Sequence, residues 1–350
     1  YESSAASDVY KRQKYTCFES FNVVSGFLNL VLRPEVWINQ LSYLYNLESI
    51  GISSESSGKL FMVEYSSPNT NKPLHLGHLR NICLGDAVVS LLKSVGHKVV
   101  RTQTINDRGI HICKSMVAWV QLGNGETPEI SGLKGDHLVG KYYVLFDKIY
   151  KKQVASLISS GMNEEEAKNS AQILKDAQEM LIKWEQNDSD VIALWEKMNG
   201  WVYNGFERTY QSLNISFDHL YYESNTYKVG KSEVENGLAE KKFYKKGDQS
   251  IWCDLSSYKL DDKLLIRSDG TSVYMTQDIG TAIQRFRDYP SLSGVVYTVG
   301  NEQNHHFNVL FKILQISYHI CTIQIPMINK KDKSDPIDNL EYEKVLEEEI

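Results

Sequence analysis

The sequence holds little that would place it in a membrane, around a metal or in an oxidising compartment. No apolar run approaches the ~20 residues that a helical membrane span requires. Its five cysteines, Cys17, Cys83, Cys113, Cys253 and Cys321, are scattered singly. No two stand at zinc-ligand spacing, which argues against a zinc knuckle or any metal site of its own. Isolated thiols in a chain this large suit a reducing cytosol, so a cytoplasmic location is expected. A basic balance is also missing: the formal net charge is -6. Composition alone therefore does not point to nucleic acid, although phosphate binding needs only a local basic patch. The N-terminus is polar and lacks a signal-peptide pattern, and no internal repeat or low-complexity tract is visible.

What is present is a 350-residue chain with 42% apolar and 23% charged residues, ordinary for a soluble globular protein of two or three domains. Ser3–Gln13 reads SSAASDVYKRQ, which resembles a translated sequencing adapter. Residues 1–13 are therefore set aside and expected to be disordered. Residues 14–52 contain one apolar stretch, Val23–Leu32, sized for a single buried strand, and a helix near 35–47. That is too little for a domain and reads as the tail of one.

From Lys59 the pattern becomes regular. Leu60–Tyr65 reads as a buried strand. Leu76–Ser94 reads as a helix, with apolar residues at Leu79, Ile82, Leu84, Val88 and Leu91, ending at Gly96. Val99–Thr104 is the next strand. This strand–helix–strand unit implies a parallel sheet with a right-handed crossover. Ligands of such sheets sit at the carboxyl ends of the strands, where the 66–78 loop lies. Helix signals then dominate, from Glu164 to Trp184 and from Ser189 to Phe206. A strand near Leu264–Arg267, a helix from Thr271 to Phe286 and a strand at Gly294–Val299 restore the α/β alternation. An amphipathic helix follows at Phe307–Leu314.

The sharpest chemical signal is His75-Leu76-Gly77-His78, opening the first of these helices. Histidines at i and i+3 share one helix face. The helix N-terminus adds partial positive charge and free N–H groups. Gly77 lets a nucleotide approach the backbone. Together they suit the phosphates of ATP, and donors fixed there would stabilise charge growing on an α-phosphate attacked by a carboxylate. The blander alternative is a pair of surface or capping histidines. The preceding strand and proline-containing loop are the context that the nucleotide reading requires.

At this point a family resemblance can be stated. Glu64–Asn81, reading EYSSPNTNKPLHLGHLRN, resembles the signature of the arginine–tRNA ligases, which are class I aminoacyl-tRNA synthetases. Asn106-Asp107-Arg108-Gly109, Arg267–Asp278 and Asn301–Phe307 resemble further segments of that family in the same order. Gly26–Leu30 resembles the end of its N-terminal tRNA-binding domain. The resemblance covers about residues 20–315. It implies a Rossmann-like α/β fold of the HxGH type: a parallel sheet split by an α/β insertion, with helices on both faces.

The implied organisation is a remnant of the tRNA-binding domain with its linker (14–52) and a first catalytic half (53–123). An insertion (124–260), a second catalytic half (261–317) and an unmatched tail (318–350) follow, without the family's anticodon-binding domain. The resemblance further implies an arginine site built from Glu64, Asn69, Tyr274, Asp278 and Gln303. Tyr274 and Asp278, at i and i+4, point the same way, and a carboxylate can take both arms of a guanidinium fork. Glu64 is expected to hold the substrate's α-amino group. His75, Gly77, His78 and Lys72 would bind ATP, and His75, His78 and Lys72 would carry catalysis, Lys72 compensating for a degenerate second signature loop. Lys331–Ser334 matches that loop only superficially. For His305 and His306, a helix-terminal role and a substrate role stand level.

The implied substrates are ATP with Mg2+, L-arginine and tRNA(Arg), with activation requiring bound tRNA, in a monomer. Two alternatives stand beside this reading: another HxGH-type nucleotidyltransferase, or a remnant that binds without turning over.

Overall fold

The computed structural model describes residues 16–48, 50–53, 58–318 and 323–324. The expectations for residues 1–13 and for Lys331–Ser334 fall outside these. The chain divides into two compact units, 1–55 and 56–350. In the first, β1 (Phe18–Val24) and β2 (Phe27–Leu32) pair antiparallel, followed by helix α1 (Pro34–Tyr45). The single buried strand expected at Val23–Leu32 is thus two largely exposed ones. Ser25 and Gly26 both adopt positive φ, 51° and 83°, the conformation that folds a two-residue hairpin.

The second unit begins with β3 (Leu60–Glu64), α2 (Leu76–Ser94), β4 (Lys98–Ile105) and α3 (Ile110–Leu122). The helices α4 (Pro128–Ser131), α5 (Gly135–Ser159), α6 (Glu164–Ser170), α7 (Gln172–Glu185) and α8 (Ser189–Ser212) follow. Then come β5 (His219–Tyr222), α9 (Glu223–Ala239), β6 (Tyr244–Lys245), β7 (Ile251–Cys253) and β8 (Lys263–Ile266). The series ends with α10 (Tyr274–Asp288), β9 (Leu292–Tyr297), α11 (Asn304–Tyr318) and β10 (Ile323–Gln324).

Five strands form a parallel sheet in the order β10-β9-β3-β4-β5. The apolar run of β3 lies at its centre because both of its faces are covered. Val63 packs with Ile82 of α2, Met116 of α3 and Phe206 of α8. Met62 points the other way, into a cluster with Val295 and Tyr297 that is covered by Phe307 and Phe311 of α11. On α2 the buried residues are Ile82, Gly85 and Val89, whereas Leu84 and Leu91 are exposed. Gly85 sets that face, since a Cβ there would lie 2.2 Å from the Tyr65 ring.

Three sequence expectations need correction. Residues 124–260 are not one insertion, because His219–Tyr222 within them pairs with β4 as a strand of the parallel sheet. The Leu264–Arg267 strand does not extend the α/β alternation. As β8 it joins β6 and β7 in a separate antiparallel sheet, where Ile266 pairs with Ile251. The segment after 317 is not wholly apart from the fold, because Ile323 and Gln324 pair with Val296 and Tyr297.

Helices α9 and α10 cross at two glycines. A Cβ on Gly280 would lie 2.3 Å from the Gly230 nitrogen, and one on Gly230 would lie 2.0 Å from the Thr276 carbonyl oxygen. Neither backbone can yield without separating the helices. Gly280→Ala is expected to destabilise the protein by about 1–3 kcal/mol, the usual cost of overpacking. Urea unfolding checks this: an unchanged midpoint would mean the helices separate freely.

Candidate active site

The carboxyl ends of the parallel strands open on a cavity of about 710 Å³. Each strand near it delivers a polar group: Glu64 ends β3, Thr104 lies near the end of β4, Glu223 follows β5 and Tyr297 ends β9. Helix α10 supplies Tyr274, Asp278 and Arg285, spaced so that they face one side. Glu64, Asn69, Tyr274, Asp278 and Gln303, the arginine set that the resemblance implies, all line this cavity, and so does Lys72.

The loop after β3 is held in a costly backbone form. Ser66 and Ser67 have positive φ, 70° and 40°, a region that non-glycine residues enter at a cost and that clusters at functional sites. Surrounding bonds impose it. The Asn81 side chain accepts from Ser66 N–H (2.5 Å) and donates to the Thr298 carbonyl (2.6 Å). The Ser66 and Tyr210 hydroxyls lie 2.8 Å apart, and Tyr210 donates to Gln103 Oε1. Thr70 N–H donates to the Asn106 carbonyl, and Asn106 N–H to that of Pro68. Asn69 and Lys72 are thereby carried alongside the loop that follows β4.

Three carboxylates share the cavity, and they differ in environment. Glu64 is satisfied: Ser67 Oγ donates to its Oε1 at 2.7 Å and Arg285 donates to its Oε2. Arg285 is buried, donates also to Thr104 Oγ1 (2.8 Å), and has Tyr221 and Tyr297 rings about its guanidinium. Asp278 Oδ2 lies 2.6 Å from His306 Nε2. The Asp278 side chain is 41% exposed to the open cavity, and the enclosing walls lift its carboxyl above the ordinary range against the pull of His306. Glu223 is pushed up to about 8 by burial and then by the charges of Asp278 and Asp107. Two neighbouring carboxylates that resist ionisation together make a site that a cation would relieve.

His75 and His78 stand at the N-terminus of α2 and are not among the residues lining the cavity. Their Nδ1 atoms are occupied: His75 accepts from Gly77 N–H (3.1 Å) and His78 from His75 N–H (3.2 Å). The capping alternative is thus real, and it has a chemical consequence. A neutral ring that accepts at Nδ1 carries its proton on Nε2, free to donate outward. Burial, then His75 and Lys72, lower His78 to about 4, so its ring is neutral near pH 7.

Sequence reasoning missed Glu223, Arg285 and His111, and it left His306 undecided. Arg285 had a signal, being seven residues from Asp278 on one helix. His111, with Nδ1 3.1 Å from the Tyr143 hydroxyl, lines the cavity on the Lys72 side. His305 is exposed and does not line it. A second cavity of about 640 Å³ shares Asn106, His111, Glu223 and Tyr274 with the first and adds Arg108, Lys231 and Arg267.

Comparison with known proteins agrees with this architecture. A family model described as "tRNA synthetases class I (R), catalytic domain" matches residues 42–330, beyond the point near 317 where the sequence resemblance fades. An arginine–tRNA ligase of Bacteroides fragilis is 54% identical over 306 residues, covering 87% of this chain and 51% of that protein. One of Flavobacterium psychrophilum is 57% identical over 298 residues, covering 85% and 50%. The chain therefore spans about half the length of the curated relatives it matches. Arginyl-tRNA synthetase structures from Plasmodium falciparum and Thermus thermophilus share the fold at 20% identity, with TM-scores of 0.64 and 0.63. They cover 93% and 92% of this chain, and 54% and 57% of theirs. Taken with the parallel sheet and its strand-end cavity, the matched span shows that the chain belongs to the class I tRNA synthetase (R) catalytic-domain family.

Proposed function

We propose that this chain carries the catalytic centre of an arginine–tRNA ligase. The observation that carries the reading is the cavity itself: Asp278 and Glu223, two carboxyls both held above their ordinary range, face it beside the open ring of Tyr274. A guanidinium offers five donors in a planar fork and stays charged, which matches two acceptors better than a compact ammonium does. Glu64 keeps acceptor capacity for the substrate's α-amino group, with Arg285 fixing its orientation. Asn69 and Gln303 hydrogen-bond the bound amino acid.

Adenylation joins the arginine carboxylate to the α-phosphorus of ATP and releases diphosphate. Magnesium enters as the counter-ion of the ATP phosphates. Lys72 and the outward N–H groups of His75 and His78 serve the phosphates, Gly77 allowing close approach. A terminal ribose hydroxyl of tRNA(Arg) then attacks the arginyl carbonyl and AMP leaves.

The test is calorimetric titration of the chain with L-arginine and L-lysine. Arginine should bind and lysine should not; equal binding, or none, would overturn the arginine reading. The pH dependence adds a second check. A carboxyl raised to about 8 holds its proton below that pH and must release it to pair with guanidinium. Arginine affinity is therefore expected to rise with pH by up to ~tenfold per unit from roughly pH 6 to 8, then level off. A flat profile would remove Glu223 from the site.

A further inference from the structure

Asp107 is not in the wall of either cavity, yet it is buried and tied to two other elements. Its carbonyl accepts from Trp195 Nε1 (2.6 Å) and Asn199 Nδ2 (3.2 Å) of α8. Its carboxylate accepts from the Tyr203 hydroxyl (3.2 Å), also on α8. It accepts further from Ser224 N–H (2.9 Å) and Ser224 Oγ (2.7 Å) in the first turn of α9. A helix leaves its first N–H groups unsatisfied, so this carboxylate caps α9 from outside the helix. The residue before Ser224 is Glu223, and the residue before Asp107 is Asn106, whose side chain hydrogen-bonds Glu223. Two adjacent residues of the loop after β4 thus grip the first two residues of α9, anchored behind by α8.

We propose that Asp107 is a positioning residue for substrate selection: by holding Ser224 it fixes the Glu223 carboxylate where the substrate's cationic side chain is read. This rests on the arginine-site reading above. Asp107 also sets the charge that Glu223 meets. Asp278 faces Glu223 from α10, while Asp107 and Arg108 face it from the loop after β4. Lys231 of α9 and Arg267 of the turn before α10 line the adjoining cavity.

The experiment is a double-mutant cycle read by calorimetry of L-arginine binding to the chain at about pH 8.5, above the Glu223 midpoint. Asp107→Asn is expected to weaken arginine binding on the order of tenfold and leave ATP binding unchanged. In a Glu223→Gln background it should add nothing. The midpoint of the arginine pH profile should also move to lower pH, because a like charge is lost, a shift that a merely structural role would not produce. Ser224→Ala removes one of the bonds with less risk to folding and should give a smaller loss of the same kind. Unchanged binding in both variants, or equal loss with and without Glu223, overturns the proposal while leaving the arginine site intact. A wild-type chain that binds no arginine overturns the arginine-site reading and this inference with it.

Discussion

Replacing Asp278 with alanine should weaken arginine binding by on the order of 10²–10³-fold and leave ATP binding nearly untouched. The magnitude follows from the group's position. Asp278 stands on α10, one turn after Tyr274, and opens on the cavity with His306 on one oxygen. Truncating one partner of a hydrogen-bonded charge pair that the bound ligand covers costs about 2–5 kcal/mol, largely because the other charge is left unpaired. Asp278→Asn should be nearly as harmful, since it loses the charge and turns an amide donor toward donors. Both variants should also lower the Glu223 midpoint, because Asp278 is the neighbouring charge that raises it most. Titrations of arginine and ATP against each variant check the split. Equal weakening of both ligands would mean that Asp278 supports the fold and not the amino-acid pocket.

The second large effect is expected at His78. In a chain of the relatives' full length, with tRNA present, His78→Ala should slow arginine-dependent pyrophosphate exchange by ~10²–10³-fold. Arginine affinity should change little, because His78 is not among the residues lining the strand-end cavity. The group at work is a neutral ring. With Nδ1 tied to His75 N–H and its pKa lowered to about 4, it can donate only through Nε2. Losing His78 as a cap also costs helix stability of about 1 kcal/mol. Thermal unfolding separates that loss, which is far too small to account for a hundredfold change in rate. Exchange at the wild-type rate would reduce the histidines to caps.

Much of this was legible locally. The HLGH turn, the buried run Leu60–Glu64 and the helix from Leu76 to Ser94 are encoded in short stretches whose period and capping need no partner. The family signature is local in the same sense, and it led to Glu64, Asn69, Tyr274, Asp278, Gln303 and Lys72 before any of them could be seen in one cavity. The two-residue turn at Ser25-Gly26 was equally local but hidden inside an apolar stretch.

What tertiary structure decided was everything that depends on a partner far along the chain. β5 has four residues and becomes a strand only because β4 lies beside it. Strand character as short as this comes from pairing, not from propensity. The same holds for β8, whose sheet is chosen by β7, and for β10 beside β9. Glu223 follows directly on β5, so its place in the site could not be read without that pairing. Arg285 is an ordinary helix arginine until burial against Glu64 makes it the support of the pocket. Asp107 sits in a recognised motif, but its grip on Ser224 exists only where the loop after β4 meets the start of α9. A residue's type and spacing are properties of the sequence. Its solvation, its charged neighbours and hence its protonation are properties of the packed molecule.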